Sequence, residues 1–544
     1  MNVMSDSYKT WPWNTAGYQI YPRSFKDTTG NGIGDLQGII EKLDYIEGLG
    51  VGAVWLSPFF PSPMADFGYD VADYKGVDPI FGTLEDFDEL LKEVHKREMR
   101  LLIDFVPNHT SSRHPWFIES RSSKNNPKRN WYVWKDPAPG GGPPNNWLSV
   151  FGGSAWEYDK KTEQYYLHSF LKEQPDLNWD NPNVREAMKE NLRFWLDMGV
   201  DGVRLDAVHY LSKDKEFRSD LPKKDYKEDS EIYDALIHKY SKDGPNLFNY
   251  LNELVGVLKE HKEQKFMITE TARTLSVEEH KLFYEKLDSS YTSPFNFCLI
   301  NIEWRPSAIK DYIDQFHAQL KPQDLPVYAL ENHDNPRICT QIGSAQARVA
   351  AMLLLTLPGM TFIYQGQELA MTDTDISEDK LKDPASKRGK EYSRDYVRTP
   401  MQWSGDKYGG FSDTEPWLPV NKNYKRINVE VEKDDARSML HLYKKLIALK
   451  SNKEELKYGK YDPIYTSNKD IFAFQRSLDG KELLILLNFT DKKQKLSLNN
   501  KKTPLKPGHV RVMLDTGLKK EKEGLNLSNL ILEANEGMIL EYLG

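Results

Sequence analysis

Two cysteines in 544 residues, Cys298 and Cys339, cannot staple a chain this long, so a disulfide framework is excluded. Both read as small buried hydrophobes. No apolar run approaches the roughly 18 residues that a membrane span needs. The segment Met1 to Trp13 is polar and lacks the apolar centre of a signal peptide. A cytoplasmic, soluble chain with no membrane partner is therefore expected. Positive charge is not in excess: 73 Lys and Arg stand against 81 Asp and Glu, a formal net charge of -8. That balance argues against a nucleic-acid partner. No repeat of 20–50 residues and no long low-complexity tract is present, which sets solenoid architectures aside. Aromatics, in contrast, reach 12%, enough to pack a large core and to offer flat faces to a ring-shaped ligand.

The length allows two or three domains, and the hydrophobic pattern orders them. Ala16 to Pro22 reads as a strand, then a Gly/Asp-rich loop and a helix over Leu36 to Leu49. Gly52 to Pro58 is a second strand. Thr83, with Asp86 three residues on and Phe87, Leu90, Leu91 and Val94 at helical spacing, marks a helix start. Leu101 to Asn108 is a third strand. The alternation then stops: from about 109 to 175 the chain is rich in Pro, Gly, Asn and Trp without helical period, a length that fits a small inserted domain. It resumes with a helix, Asn183 to Met198, and strands at 202–208, Lys265–Thr271, Tyr291–Phe297, Val327–Glu331 and Met360–Tyr364. Eight strands alternating with helices predict an α/β fold, a (β/α)8 TIM barrel. Near residue 465 the period changes to 2, as in a separate β-sandwich. The expected division is 1–108 and 176–460 for the barrel, 109–175 for the insert and 461–544 for the C-terminal domain.

The stretch Gly202-Val-Arg-Leu-Asp-Ala-Val208 anchors the functional reading. Side chains alternate in a strand, so Arg204 and Asp206 share one face. A charged pair inside a core strand is costly unless partnered. It is either a structural ion pair or a carboxylate nucleophile kept ionised by its guanidinium neighbour. In a barrel the C-terminal strand ends line one mouth. There they bring Asp70, Asn108-His109, Arg204 and Asp206, Glu270, and Glu331-Asn-His-Asp-Asn-Pro-Arg337. Any one could be a cap, a loop ion pair or a satisfied core histidine. Their coincidence at successive strand ends points to a site.

These motifs resemble the alpha-amylase superfamily, glycoside hydrolase family 13, over essentially the whole chain. Asp104-Phe-Val-Pro-Asn-His109, Gly202-Val-Arg-Leu-Asp206, Ile268-Thr-Glu270 and Asn332-His-Asp334 are similar to its first four regions in order. Gln174-Pro-Asp-Leu-Asn178 resembles the fifth, in the form of oligo-1,6-glucosidases and alpha-glucosidases. Tyr18-Gln-Ile-Tyr-Pro22, Gly68-Tyr-Asp70 and Arg398-Thr-Pro-Met-Gln-Trp403 point to the same subgroup.

The resemblance implies Asp206 as nucleophile, Glu270 as acid and then base, and Asp334 as a grip on sugar hydroxyls, with retention at the anomeric carbon. It implies that His109 and His333 bond hydroxyls of that ring. Asp70 with Arg398 would close a blind end and Tyr69 would be the stacking platform, which means exo action on short oligosaccharides. Ala207, small where α-1,6 enzymes of the subgroup often have Val, leans toward α-1,4 bonds, hence maltose. Siblings sharing the trio are oligo-1,6-glucosidases, trehalose-active hydrolases and transglucosylases or isomerases. Outside catalysis, the resemblance also admits a transporter-associated subunit or a carbohydrate-binding protein, which the three carboxylates oppose. No cofactor is needed for the chemistry. Asp27-Thr-Thr-Gly-Asn-Gly-Ile-Gly-Asp35 has the spaced oxygens of a calcium loop through Asp27, Thr29, Asn31, Ile33 and Asp35. A Gly-rich turn held by its own hydrogen bonds is the alternative, since Thr29 and Asn31 bring few charges. Oligomeric state is not legible in the sequence.

Overall fold

The computed structural model describes residues 11–13, 15–227, 232–271, 276–496, 509–519, 523–527 and 530–543. Strands β1 (Ala16–Ile20), β2 (Ala53–Leu56) and β3 (Arg100–Phe105) begin a barrel. The chain then leaves it for a small three-stranded sheet of β4 (Trp134–Lys135), β5 (Trp156–Asp159) and β6 (Gln164–Leu167). It returns for β7 (Gly202–Leu205), β8 (Phe266–Thr269), β9 (Thr292–Asn296), β10 (Val327–Ala329) and β11 (Met360–Tyr364). The eight barrel strands pair in parallel and close in the order β1-β11-β10-β9-β8-β7-β3-β2. This is the predicted (β/α)8 barrel.

Alternation within each strand builds two cores. Ala53, Trp55, Leu102, Phe266, Ile268, Phe295, Val327, Ala329, Met360 and Phe362 fill the barrel interior. Their neighbours Val54, Leu56, Leu101, Ile103, Val203, Leu205, Met267, Tyr328 and Ile363 belong to the cluster under the helices. Arg204 stands in register between Asp104 of β3 and Ile268 of β8, so it projects inward among the interior set. Glycine at 202 is required by close approach: a Cβ there would lie 2.2 Å from the Phe266 carbonyl oxygen.

Local signals set most helices. Thr83 and Asp86 form a reciprocal capping box on Leu84–Lys96, whose Phe87, Leu90, Leu91 and Val94 are buried; such a cap contributes about 1 kcal/mol. Pro182–Met198 starts from Asn181 and stops at Gly199 with φ 114°. The expected helix Leu36–Leu49 is two pieces, Leu36–Glu41 and Leu43–Glu47, broken at Lys42. The inserted segment holds a helix, Pro115–Ser122, where no helical period was read. Its apolar residues Trp116, Phe117 and Ile118 are consecutive rather than spaced, and Ile118 is exposed. Ile338–Thr356 is, among the described residues, one helix long and apolar enough to cross a bilayer by length and composition. In the fold it is a core helix, buried from Val349 to Thr356.

The C-terminal strands β12 (Lys460–Ile464), β13 (Ile471–Leu478), β14 (Lys481–Asn488), β15 (Gln494–Lys495), β16 (His509–Asp515), β17 (Leu525–Asn526), β18 (Ile531–Leu532) and β19 (Gly537–Tyr542) form two antiparallel sheets. Period 2 again divides the faces. Ile471, Ala473, Leu484, Leu486 and Leu540 pack with Leu496 and Leu532 inside this domain. Phe472, Phe474, Leu483, Ile485 and Leu487 join the core shared with the barrel helices.

Candidate active site

The parallel ladder runs one residue past β7 and β8. Asp206 N–H donates to Phe105 O and Glu270 N–H to Leu205 O, 2.9 Å each. Both carboxylates thus leave the barrel at the same height, over Arg204. That guanidinium is 1% exposed. Nη1 donates to Asp104 Oδ1 and to Asp206 Oδ1 at 2.7 Å each, and Nη2 pairs with Glu270 Oε1 at 2.6 Å. Ala207 N–H donates to Glu270 Oε2 at 2.8 Å. One cation therefore holds three carboxylates. Burial and the Glu270 charge raise Asp206 well above the ordinary aspartate range, against the pull of Arg204. Asp104, fully enclosed, is pushed up to about 6 by burial despite Arg204.

A second charged cluster adjoins it. Asp334 Oδ1 accepts from Arg398 Nη2 at 2.7 Å and Arg394 Nη1 at 3.3 Å. Arg394 Nη2 also reaches Asp66 Oδ1 at 2.7 Å and Asp383 Oδ1 at 2.8 Å. Arg398 is held by its Nε to His333 O at 2.8 Å. The inserted domain meets this cluster from above. Phe151 lies under Arg394, 5.2 Å from Cζ to ring centre, and Arg388 Nη1 donates to Val150 O at 2.8 Å. These contacts tie the inserted segment to the loop that carries Arg388 and Arg394.

Tyr69 and His333 have near-parallel rings that meet at their polar edges, with ring centres 5.6 Å apart and planes at 5°. The Tyr69 hydroxyl donates to Asp104 Oδ2 at 3.2 Å and contacts His333 Nε2 at 2.7 Å. Both expected histidines are engaged by protein. His333 Nδ1 faces Gln19 Nε2 at 2.8 Å, and Nε2 also lies 3.1 Å from Asp334 Oδ2. His109 Nε2 faces Tyr69 O at 3.1 Å and Nδ1 faces Asn108 Nδ2 at 3.3 Å. Burial pulls His333 down to about 3 and His109 to about 4, so both are neutral near pH 7.

The structure brings Asp206, Glu270, Asp334, Arg204, Ala207, Tyr69, His109, His333 and Arg398 to one mouth, and it leaves Asp70 aside. Asp70 is fully buried, accepting from Ser62 Oγ at 2.8 Å, Ala65 N–H at 3.0 Å and Asp66 N–H at 2.9 Å. It shapes the turn, and Asp66 is the carboxylate that this turn presents to the arginines. Sequence reasoning passed over Asp66, Arg394, Asp383 and Gln174. Asp66 precedes Asp70 by four residues and Arg394 precedes Arg398 by four, so the same loops offered both members of each pair. Gln174 Nε2 lies 3.3 Å from Asp66 Oδ2, and its Oε1 accepts from Leu171 N–H.

The calcium-like loop is closed by its own donors. Asp27 Oδ1 accepts from Thr29 N–H and Oγ1 and from Gly30 N–H; Oδ2 accepts from Gly32 N–H and Ser412 Oγ. Asn31 Oδ1 accepts from Ile33 N–H, and Asp35 from Thr28, Thr29 and Gly38. With N–H and O–H groups converging on these oxygens, Asp27, Thr29, Asn31, Ile33 and Asp35 fit a cation cage poorly.

A parallel barrel whose strand ends set two carboxylates on one guanidinium, with a third carboxylate held by two more, carries the equipment of a glycoside hydrolase. Comparison with known proteins agrees. Residues 19–459 match the family model described as alpha amylase, catalytic domain. Oligo-1,6-glucosidase of Bacillus cereus is 39% identical over 519 residues, covering 89% of this chain and 91% of that protein. A probable alpha-glucosidase of Rhizobium meliloti (strain 1021) is 39% identical over 533 residues, covering 94% and 95%. The crystal structure of an alpha-glucosyl transfer enzyme superposes with a TM-score of 0.91 at 36% identity, over 98% of this chain and 100% of that one. The chain belongs to the alpha-amylase family of glycoside hydrolases, family 13.

Proposed function

We propose that the protein is a retaining, exo-acting α-glucosidase that releases terminal non-reducing glucose from maltose and short oligosaccharides, with preference for α-1,4 bonds. The observation that carries this reading is the shared guanidinium. Asp206 and Glu270 sit on the two amino groups of one guanidinium, neighbours as the nucleophile and acid of a retaining enzyme must be. In the proposed cycle Asp206, its charge favoured by Arg204 Nη1, attacks the anomeric carbon. Glu270, acting as the acid after turning away from Ala207 N–H, gives a proton to the leaving oxygen and later takes one from the attacking water. Asp334, backed by Arg394 and Arg398, faces the sugar hydroxyls. In this reading Phe151 and Val150, packed on Arg394 and Arg388, close the blind end that limits the enzyme to chain ends.

Ala207 is the support for the α-1,4 preference. The family relatives named oligo-1,6-glucosidase favour a second reading, α-1,6 cleavage by the same trio. The two free cysteines accord with a reducing, cytoplasmic setting. The test is release of glucose from maltose and isomaltose side by side, with Asp206→Asn as blank and the anomer first formed followed by NMR. Preference for maltose with α-glucose formed first supports the proposal. Preference for isomaltose moves the enzyme to the second reading, and β-glucose formed first overturns retention.

A further inference from the structure

The loop that follows β7 carries a rim that the proposed cycle leaves unused. It runs from 209 to about 245, a length that in a compact domain goes with function. Its first turn, Val208–Tyr210, starts at Ala207, whose N–H holds Glu270, the group that faces the leaving oxygen in the proposed cycle. Val208 and His209 of this turn are buried, whereas Tyr210 is only half-buried. Its ring stands edge-on to Phe170 of the inserted domain, with centres 5.0 Å apart and planes at 68°. Phe170, also half-buried, lies 5.1 Å from the His109 ring. The row His109, Phe170, Tyr210 thus links the mouth to the turn behind Ala207 and Glu270.

The far end of the row is locked. Tyr210 Oη and Tyr233 Oη are 2.6 Å apart. The Tyr233 ring lies on His238, with centres 3.8 Å apart and planes at 14°. His238 Nε2 bonds Tyr233 O at 2.7 Å, and Nδ1 faces Ser241 Oγ at 3.1 Å. A ring fixed in this way loses little conformational freedom when a ligand settles on it. An apolar face with a tethered hydroxyl suits a pyranose, which has apolar C–H faces and polar edges.

We propose that Tyr210 is the platform for the glucosyl unit on the leaving-group side of the scissile bond, and that the Tyr233–His238 pair positions it. This inference rests on the glucosidase reading above. Tyr210 takes no part in bond making; it sets affinity for the leaving sugar.

The experiment compares α-glucosyl fluoride, whose leaving group is too small to reach Tyr210, with maltotriose, in the wild type, Tyr210→Ala, Tyr210→Phe and Tyr233→Phe. Wild-type hydrolysis of the fluoride is the check on the glucosidase reading; an inert wild type overturns that reading and this one with it. Given an active wild type, Tyr210→Ala is expected to raise KM for maltotriose about tenfold, with kcat/KM on the fluoride within about twofold. Tyr210→Phe keeps the ring and should lose about threefold in KM or less, and Tyr233→Phe should match it, because each removes the same bond. Equal losses of Tyr210→Ala on both substrates would make Tyr210 a general support of the nucleophile turn and refute the proposal. An unchanged KM for maltotriose in Tyr210→Ala would refute it as well. If Tyr210→Ala does not fold, Tyr210→Leu replaces it under the same criteria.

Discussion

Arg204 is where the site can be broken most informatively. Replacing it with Met keeps much of the side-chain volume and removes the cation that touches Asp104 and Asp206, at 2.7 Å each, and Glu270, at 2.6 Å. At an effective dielectric of about 20, unit charges about 4 Å apart interact by roughly 4 kcal/mol. Removing one partner of a buried pair costs about 3–5 kcal/mol, because the remaining charge is left unpaired. Part of that cost is relieved by proton uptake. Asp104 already stands at about 6 through burial, and Asp206 is raised well above its ordinary range by burial and Glu270; losing the guanidinium moves both further up. The sign follows. A carboxylate whose folded pKa lies above its unfolded value adds no penalty at acid pH and destabilises increasingly as pH rises through the folded value. Arg204→Met should therefore lose least stability near pH 5 and most near pH 8, read by urea denaturation at both. The nucleophile would ionise only at higher pH, so the acidic limb of kcat/KM on α-glucosyl fluoride should move up by more than one pH unit. At pH 6 activity should fall at least a thousandfold. An acidic limb in its wild-type position would refute the claim that Arg204 keeps Asp206 charged.

Other consequences are as direct. Glu270→Gln should lower kcat on maltose by about 10²–10⁴-fold, while a glucosyl-enzyme still forms from α-glucosyl fluoride and is visible by mass spectrometry. Ala207 adopts φ 50°, ψ 37°, a left-handed conformation that costs any residue with a Cβ about 1–2 kcal/mol and is a genuine outlier for a β-branched one. Ala207→Val should therefore lose stability in urea denaturation and shift the isomaltose-to-maltose ratio of kcat/KM upward; an unchanged ratio would remove Ala207 as a linkage determinant. Lys213 Nζ lies 2.6 Å from Asp176 Oδ2 and 3.1 Å from Asn108 Oδ1, tying together the two residues that flank the inserted segment with both charges buried. Lys213→Met should cost about 3 kcal/mol and speed proteolysis within 109–175; unchanged cleavage would count against that tie.

Much of the site was legible because the barrel turns sequence order into spatial order. A charged residue at a strand's C-terminal end must face the mouth, so Arg204, Asp206, Glu270 and Asp334 could be gathered before their distances were known. Asp70 shows where this logic stops. Asp66 and Asp70 occupy one loop and carry the same chemistry. Which of them meets an arginine depends on how the turn closes, and Asp70 closes it by accepting three donors. The arginines repeat the lesson, since Arg394 and Arg398 both reach Asp334 but only Arg394 also bonds Asp66 and Asp383.

The sequence by itself determined the periodic features: inward and outward faces of each strand, the capping box at Thr83, the switch to period 2 in the C-terminal domain, and the motifs that identify the family. These are local, set by a residue and its neighbours a few positions away. Only the tertiary structure decided the long-range pairings. Tyr69 meets His333 across 264 positions, Arg394 reaches Asp66 across 328, and Lys213 of the loop after β7 reaches Asp176. Such contacts form only once the barrel closes and the inserted domain packs over its mouth. Burial then fixes which polar groups must find each other, because an unpaired charge in that interior costs several kcal/mol.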